Sequence, residues 1–227
     1  MILLPGDVVT GAKPVRQFAN RRPSERRSLI LPNNFGSSRF PTKTLAFLAG
    51  VPETVVIGGR DKFKLVAEAF DNAGIKQILF VGCGSQGPAQ AQNLSDTLRS
   101  IGRSDIKVCV GLRPGSNSIQ AAIDAGFNNA DGTLGCPYEL AAKSDLVICL
   151  VSDGAMVGIY KKLFAALKPG AIVGISHGFI VGHLASIGEE LPTDHDFIMV
   201  APKGMGPSVR TLYVQGATKE GAGINSS

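Results

Sequence analysis

Short apolar runs alternate with longer amphipathic segments along the chain from about residue 75 onward. The short runs are rich in β-branched residues and have the length of buried strands, whereas the longer segments have helical patterns. The runs predict strands at Gln77 to Val81, Ile106 to Leu112, Leu146 to Val151, Ala171 to Ile175 and Phe197 to Val200. Helices are predicted between them, at about residues 86–101, 118–125, 136–142, 155–167 and 181–190. This order predicts an α/β protein with a doubly wound, mostly parallel sheet and helices on both faces.

The flanking segments are less regular. Residues 45–70 read as an ordered lead-in that ends in a short helix, Asp61 to Phe70. Near the other end, the segment from Arg210 to Gln215 is predicted to form an additional strand.

Charge is concentrated at the start of the chain. Residues 1–50 contain eight Lys or Arg and two acids, a net charge of +6, whereas residues 51–227 contain fifteen bases and sixteen acids, a net charge of −1. We therefore interpret residues 1–45 as a basic, disordered leader and residues 46–227 as the folded domain. The leader has the Arg-rich, acid-poor composition of a transit peptide, which would address a plastid or mitochondrion. The alternative is an untargeted tail or a mistaken start, with a cytoplasmic protein.

The near-neutral folded part gives no reason to expect a nucleic-acid partner. No stretch approaches the roughly 18 apolar residues of a membrane span, so no membrane partner is expected. Cys83, Cys109, Cys136 and Cys149 occur singly, without a C-x-x-C pair. We interpret them as reduced thiols of the core, which favours an intracellular or organellar compartment.

The first strand of this pattern runs directly into a glycine-rich string, Gly82-Cys83-Gly84-Ser85-Gln86-Gly87, which opens the next helix. This context is what distinguishes a Rossmann dinucleotide-binding turn from a chance G-x-G-x-x-G match. Gly82 permits the tight turn, Gly84 lets the backbone approach a pyrophosphate, and Gly87 lets the helix pack on the strand. The alternative is a glycine-rich turn that binds nothing.

The residues after the second strand indicate which cofactor binds. An NAD site places an acid there against the ribose hydroxyls, but residues 110–118 contain none. Arg113 could pair with a 2′-phosphate, and Ser116 and Ser118 offer hydroxyl donors to the same group. The sequence therefore predicts NADPH. Alternatively, Arg113 is a solvated charge and the serines only cap the next helix.

Several strings resemble one family. They are Gly82–Leu94, Gly111–Arg113 with Ser116–Ser118, Ser176–Phe179, Ala201–Arg210 and Gly221–Ser227. They are similar to the N-terminal NADPH-binding domain of ketol-acid reductoisomerase (acetohydroxyacid isomeroreductase) of the long plant and enteric class. The resemblance covers roughly residues 55–227.

The resemblance implies a two-step reaction of valine and isoleucine biosynthesis. A magnesium-dependent alkyl migration in a 2-acetohydroxy acid is followed by NADPH reduction, so that 2-acetolactate becomes 2,3-dihydroxy-isovalerate. It implies catalytic roles for His177 and Lys203. It also implies cofactor contacts at Gly82, Cys83, Gly84, Ser85, Gln86, Gly87, Arg113, Ser116, Ser118, Ser152, Asp153, Gly154, Ala155 and Gly206.

His177 also has a reason independent of the family, because it follows a predicted strand at the carboxyl edge where open α/β sheets bind ligands. There an imidazole could relay a proton. Lys203 could attract a substrate carboxylate or steady an enolate, against the alternative of an ordinary surface lysine. For His183 and His195 a hydrogen-bonding role in a loop is the better interpretation.

The chain ends about where the family continues into a helical domain that supplies two magnesium-binding carboxylates. No carboxylate pair in residues 55–227 stands out as a substitute, so no metal ligand is predicted and magnesium is expected only with that further domain. Three hypotheses follow: an N-terminal fragment of the enzyme, a stand-alone NADPH-binding module without catalysis, or another Rossmann reductase of small keto or imine substrates. Without the helical domain, an exposed apolar face is expected to favour a homo-oligomer or pairing with another chain.

Overall fold

The computed structural model describes residues 41–46, 52–56, 60–201 and 206–218. These residues fall into two units, which divide between Lys62 and Phe63. Most of the predicted leader, residues 1–40, and the terminal Gly221–Ser227 string lie outside the described residues.

The smaller unit contains a β-hairpin that the sequence pattern does not predict. Strand β1 (Thr42–Ala46) pairs antiparallel with β2 (Pro52–Val56), with Thr42 opposite Val56. The Thr44 and Thr54 hydroxyls lie 3.4 Å apart across the pair. A turn of 3₁₀ helix, Arg60–Lys62, follows in the lead-in segment.

The larger unit contains a parallel sheet, as predicted. Its strands are β3 (Gln77–Val81), β4 (Lys107–Gly111), β5 (Leu134–Gly135), β6 (Leu146–Cys149), β7 (Ile172–Ile175) and β8 (Asp196–Met199). Their order across the sheet is β5-β4-β3-β6-β7-β8, and every pair is parallel. The direction of winding reverses between β3 and β6, which is the Rossmann topology and the point where such sheets bind ligands. The prediction of a doubly wound fold is confirmed.

Helices cover both faces of this sheet. They are α1 (Lys64–Asn72), α2 (Gly87–Ser100), α3 (Ile119–Asp124), α4 (Pro137–Ala141), α5 (Asp153–Ala165), α6 (Phe179–Ser186) and α7 (Gly206–Gln215). The first six correspond to predicted helices, with boundaries that differ by a few residues. Alternate residues of β3 pack into the two core clusters on opposite faces of the sheet. Ile78 and Phe80 belong to one cluster of buried side chains, and Leu79 and Val81 belong to the other.

The predicted strand at Arg210 to Gln215 is wrong, because these residues form the second half of α7. Arg210 and Tyr213 are three residues apart and therefore lie on one helix face. That face contacts α2: Arg210 Nη1 lies 2.7 Å from Asp96 Oδ2, and the Tyr213 hydroxyl lies 2.9 Å from Thr97 Oγ1. Packing against α2 thus prevails over the strand propensity of the aromatic and β-branched residues in this segment.

The interpretation of the cysteines as reduced thiols is confirmed. All four are free; Cys83, Cys109 and Cys149 are buried, and Cys136 is half-buried. Burial raises the pKa of the Cys149 thiol to about 12, so this group stays protonated at neutral pH. Among the described residues, no helix has both the length and the apolar character needed to cross a bilayer.

Candidate functional site

In the glycine-rich turn after β3, two positions have no space for a side chain and a third position has space. Gly82 has φ +99°, and a Cβ atom there would lie 2.8 Å from the Leu150 carbonyl oxygen at the end of β6. A Cβ atom on Gly87 would lie 2.6 Å from the Gly82 carbonyl oxygen. At Gly84 the same construction meets no atom within 4 Å, and the residue is exposed. Backbone packing therefore requires glycine at Gly82 and Gly87, whereas Gly84 leaves room for a ligand to approach the chain.

The other residues of this turn differ in which of their atoms can face a ligand. Cys83 is 6% exposed and belongs to the core, so its backbone is the part that can face a ligand. Ser85 is exposed, and Gln86 is the N-cap residue of α2. The first turn of α2 directs free N–H groups toward this loop, which suits a pyrophosphate.

The segment after β4 lies at the same edge of the sheet, because Val81 is in register with Gly111. Arg113 is exposed, and its guanidinium makes no hydrogen bond or ion pair with the residues that the structure describes. The Ser118 N–H donates to Ser116 Oγ at 3.3 Å, whereas the Ser118 hydroxyl makes no capping bond at the start of α3. Ser116 therefore has a local structural role beside its predicted one, and Arg113 and Ser118 are available to a ligand.

Two predicted residues meet where β6 and β7 end. His177 Nε2 lies 3.0 Å from Asp153 Oδ1, and His177 Nδ1 accepts a hydrogen bond of 3.3 Å from the Phe179 N–H. In the neutral imidazole the proton is therefore on Nε2, the ring nitrogen that lies beside Asp153. Both side chains are about half exposed. The sequence did not predict this contact, although Asp153 and His177 closely follow Cys149 and Ile175, which are in register.

A small open cleft lies beside this pair. Apolar side chains of Val151, Met156 and Ile180 line it together with Asp153 and His177. The remaining predicted contacts, Ser152, Gly154 and Ala155, are exposed at the start of α5. The cleft therefore offers an apolar wall next to an adjacent imidazole and carboxylate, the combination found in many ligand sites.

The other two histidines make structural contacts. The buried ring of His195 places Nδ1 3.2 Å from the Ala171 carbonyl oxygen, and the His183 ring stacks on Phe179 with centroids 6.2 Å apart. The contact of His195 agrees with the predicted hydrogen-bonding role in a loop, whereas His183 lies within α6 and packs through its ring.

Gly206 begins α7 directly against the glycine-rich turn. A Cβ atom on Gly206 would lie 2.8 Å from both the Cβ and the carbonyl oxygen of Ser85. The predicted catalytic Lys203 lies outside the described residues. Among the residues that are described, no three His, Cys, Asp or Glu side chains come together as a metal site.

Comparison with known proteins agrees with this geometry. The family described as "Acetohydroxy acid isomeroreductase, NADPH-binding domain" matches residues 74–221. "Ketol-acid reductoisomerase, chloroplastic" of Pisum sativum is 57% identical over 180 residues, 79% of this chain and 30% of that protein. The protein of the same name from Spinacia oleracea is 52% identical over 194 residues, 86% of this chain and 32% of that protein.

A solved structure of an "NADH-preferring ketol-acid reductoisomerase from an uncultured archean" is 33% identical, covers 62% of this chain and 40% of that chain, and has a TM-score of 0.48. The chain thus spans about a third of the length of the plant relatives. The family match covers more than half of the chain, from Gly74 to Gly221. The chain belongs to the acetohydroxy acid isomeroreductase (ketol-acid reductoisomerase) family and carries its NADPH-binding domain.

Proposed function

We propose that NADPH binds across the carboxyl edge of the sheet where β3 and β6 adjoin. In this arrangement the pyrophosphate lies on the Gly82–Gly87 turn and at the start of α2. Arg113 and Ser118, with Ser116, contact the 2′-phosphate. The residues from Ser152 to Ala155 line the side toward the nicotinamide. The observation that carries the proposal is the pairing of two sterically obligatory glycines with an open Gly84 at the topological switch point.

We propose further that the chain is the reducing part of a ketol-acid reductoisomerase acting on 2-acetohydroxy acids such as 2-acetolactate. NADPH, when bound, supplies a hydride to the carbonyl carbon of the 2-keto acid. His177 is available to hold or pass a proton at the substrate side, with Asp153 orienting the imidazole through Nε2. Lys203 is proposed to attract the substrate carboxylate.

The cellular setting is also a proposal. The two plant relatives are named chloroplastic, and residues 1–50 carry a net charge of +6 with only two acids. We therefore propose a plastid location, with the basic leader as its transit peptide. Fusion of residues 1–62 to a fluorescent protein should direct it to plastids. A uniform cytosolic signal, with the pea leader as a positive control, would contradict this.

An interface with a second copy or with another polypeptide is proposed from the surface near β8. Phe179, Val181 and Met199 are 40%, 43% and 58% exposed. Met199 Sδ lies 4.0 Å from the Cβ position of Gly178, so this apolar surface is continuous from β8 to the start of α6. Sedimentation should show that the unaltered chain associates and that the Met199→Lys variant associates less, because the added lysine places a charge on the apolar surface.

Titration of the 227-residue chain with NADPH tests the proposed site. Binding to the turn should enhance and saturate the nicotinamide fluorescence, and NADH should bind more weakly. In the same preparation, NADPH oxidation with acetolactate and Mg²⁺ separates a binding module from an active enzyme. Absence of NADPH binding by the folded chain would contradict the proposed function. Binding without turnover would support the site and leave catalysis to the complete polypeptide.

A further inference from the structure

Helix α7 is attached to α2 by a set of polar contacts on one face. Arg210 Nη1 lies 3.0 Å from Asn93 Oδ1 and 2.7 Å from Asp96 Oδ2. Asn93 in turn donates to the Val209 carbonyl oxygen at 3.4 Å. One turn further along, Thr97 and Tyr213 share a hydrogen bond of 2.9 Å.

Buried and aromatic contacts complete this attachment. Val209 is only 2% exposed, and Thr97 is 6% exposed. The Tyr213 ring stacks on Phe63 with centroids 6.0 Å apart. Arg210 is therefore part of a joint between two helices whose position is specified by both packing and directional hydrogen bonds.

The helix α7 that makes these contacts with α2 begins beside the glycine-rich turn. Gly206, the first residue of α7, is so close to Ser85 that an added Cβ would collide with the Ser85 backbone. Because Gly206 and Arg210 are four residues apart on one helix, any movement of α7 at Arg210 also moves Gly206 relative to Ser85. The turn thus has α7 packed on one side and α2 following it in the sequence.

We propose that Arg210 is a positioning residue for the cofactor turn: by fixing α7 on α2, it holds Gly206 against Ser85 and keeps the turn in the conformation that binds NADPH. This inference rests on the proposed NADPH site at Gly82–Gly87. It assigns no contact between Arg210 and the cofactor. Coupling between the joint and the site must be reciprocal, so NADPH binding also stabilises the docked α7.

Arg210→Ala tests the joint, and Arg99→Ala is its matched control. Arg99 donates to the other oxygen of Asp96 at 2.8 Å, but its side chain is 68% exposed and makes no hydrogen bond or ion pair with the described residues of α7. Arg210→Ala should weaken NADPH binding about fivefold, at the low end of typical coupling, because Arg210 and Asp96 are each about a third exposed. NADH affinity should fall by the same factor, since Arg210 does not read the 2′-phosphate. Arg99→Ala should leave both affinities unchanged.

Two further measurements separate positioning from a general loss of stability. Arg210→Lys keeps a cation near Asp96 and should recover part of the lost affinity. Hydrogen exchange of the unaltered chain should show NADPH slowing exchange at the α7 amides by about the same fivefold factor. The second readout needs no variant, so it remains decisive if Arg210→Ala does not fold.

The outcomes are distinct from those of the proposed function. Unchanged NADPH affinity in folded Arg210→Ala would overturn this inference but not the proposed function. The same holds if NADPH does not change the exchange rates of the α7 amides. Equal effects of Arg99→Ala and Arg210→Ala would also overturn it, because the effect would then come from the charge of α2. If the unaltered chain does not bind NADPH, the proposed function and this inference both fail.

Discussion

The glycine-rich turn and the His177–Asp153 pair lie along one edge of the same sheet, but they are maintained by different forces. The turn is fixed by backbone packing, in which Gly82 and Gly87 leave no space for a side chain. The pair is a 3.0 Å contact between the imidazole and the carboxylate, and both side chains are about half exposed. This difference indicates that the conformation of the turn depends on glycine, whereas the pair can be altered with little effect on folding.

Gly82→Val should have the largest effect on stability. The substituted side chain would overlap the Leu150 carbonyl and Val151, and φ at this position is +99°, which a β-branched residue strongly disfavours. Strain and overpacking together should lower the free energy of unfolding by roughly 3 kcal/mol or more. Denaturant titration measures this change, with Gly158→Ala in an open position of α5 as the control. A stable Gly82→Val protein would contradict the account of a packed turn.

Gly84→Ala tests whether glycine is needed at this position for ligand binding and not for folding. No atom lies within 4 Å of the added methyl group, so the unfolding transition should be unchanged. The methyl group would occupy the path by which the backbone approaches a pyrophosphate, and overpacking of about 2 kcal/mol corresponds to roughly thirtyfold weaker NADPH binding. Fluorescence titration measures the affinity. Gly158→Ala again serves as the control, since it adds the same methyl group away from the edge. If Gly84→Ala binds NADPH normally, the pyrophosphate does not lie there.

Arg113→Ala tests whether the loop after β4 selects the phosphorylated cofactor. The guanidinium has no partner among the described residues, so its removal should not destabilise the fold. Loss of a charge-assisted interaction at an exposed site should weaken NADPH binding about tenfold and leave NADH binding unchanged. Lys107→Ala is a matched control, since this base lies on β4 but not at its carboxyl end. An unchanged ratio of NADPH to NADH affinity would show that Arg113 is only a solvated charge.

The same contrast explains how much could be predicted from the sequence. Strand β3 and the turn were predictable because apolar run, glycine spacing and following helix are consecutive in the chain. Strand β5 was missed because it has two residues. Helix α7 was taken for a strand because its conformation depends on packing against α2. The contact residues Asp96 and Thr97 lie more than 100 residues before α7 in the sequence.

The site shows the same limit. Asp153 was predicted from the resemblance, and His177 from the resemblance and from its position after a strand. Their contact depends on the register of β6 with β7, which the sequence alone does not specify. In the sequence, Arg210 belongs to a family string and begins the segment that was predicted to be a strand. Its i, i+3 spacing to Tyr213 was the signal that could have indicated a helix face.

Asp153→Ala should have the smallest effect on stability and a specific effect on His177. Exposed pairs of this kind contribute little, so the free energy of unfolding should change by less than about 1 kcal/mol. With the acceptor lost, the imidazole should move from the Nε2–H form toward the mixture of a free ring. Long-range proton–nitrogen correlation spectra at about pH 8.5, where an ordinary histidine is neutral, measure this ratio. Asp153→Asn is the matched control, because its amide oxygen can still accept the Nε2 proton without the charge. If Asp153→Ala keeps the ratio of the unaltered chain, the Phe179 N–H alone fixes the tautomer, and the pair is then a contact without an orienting role.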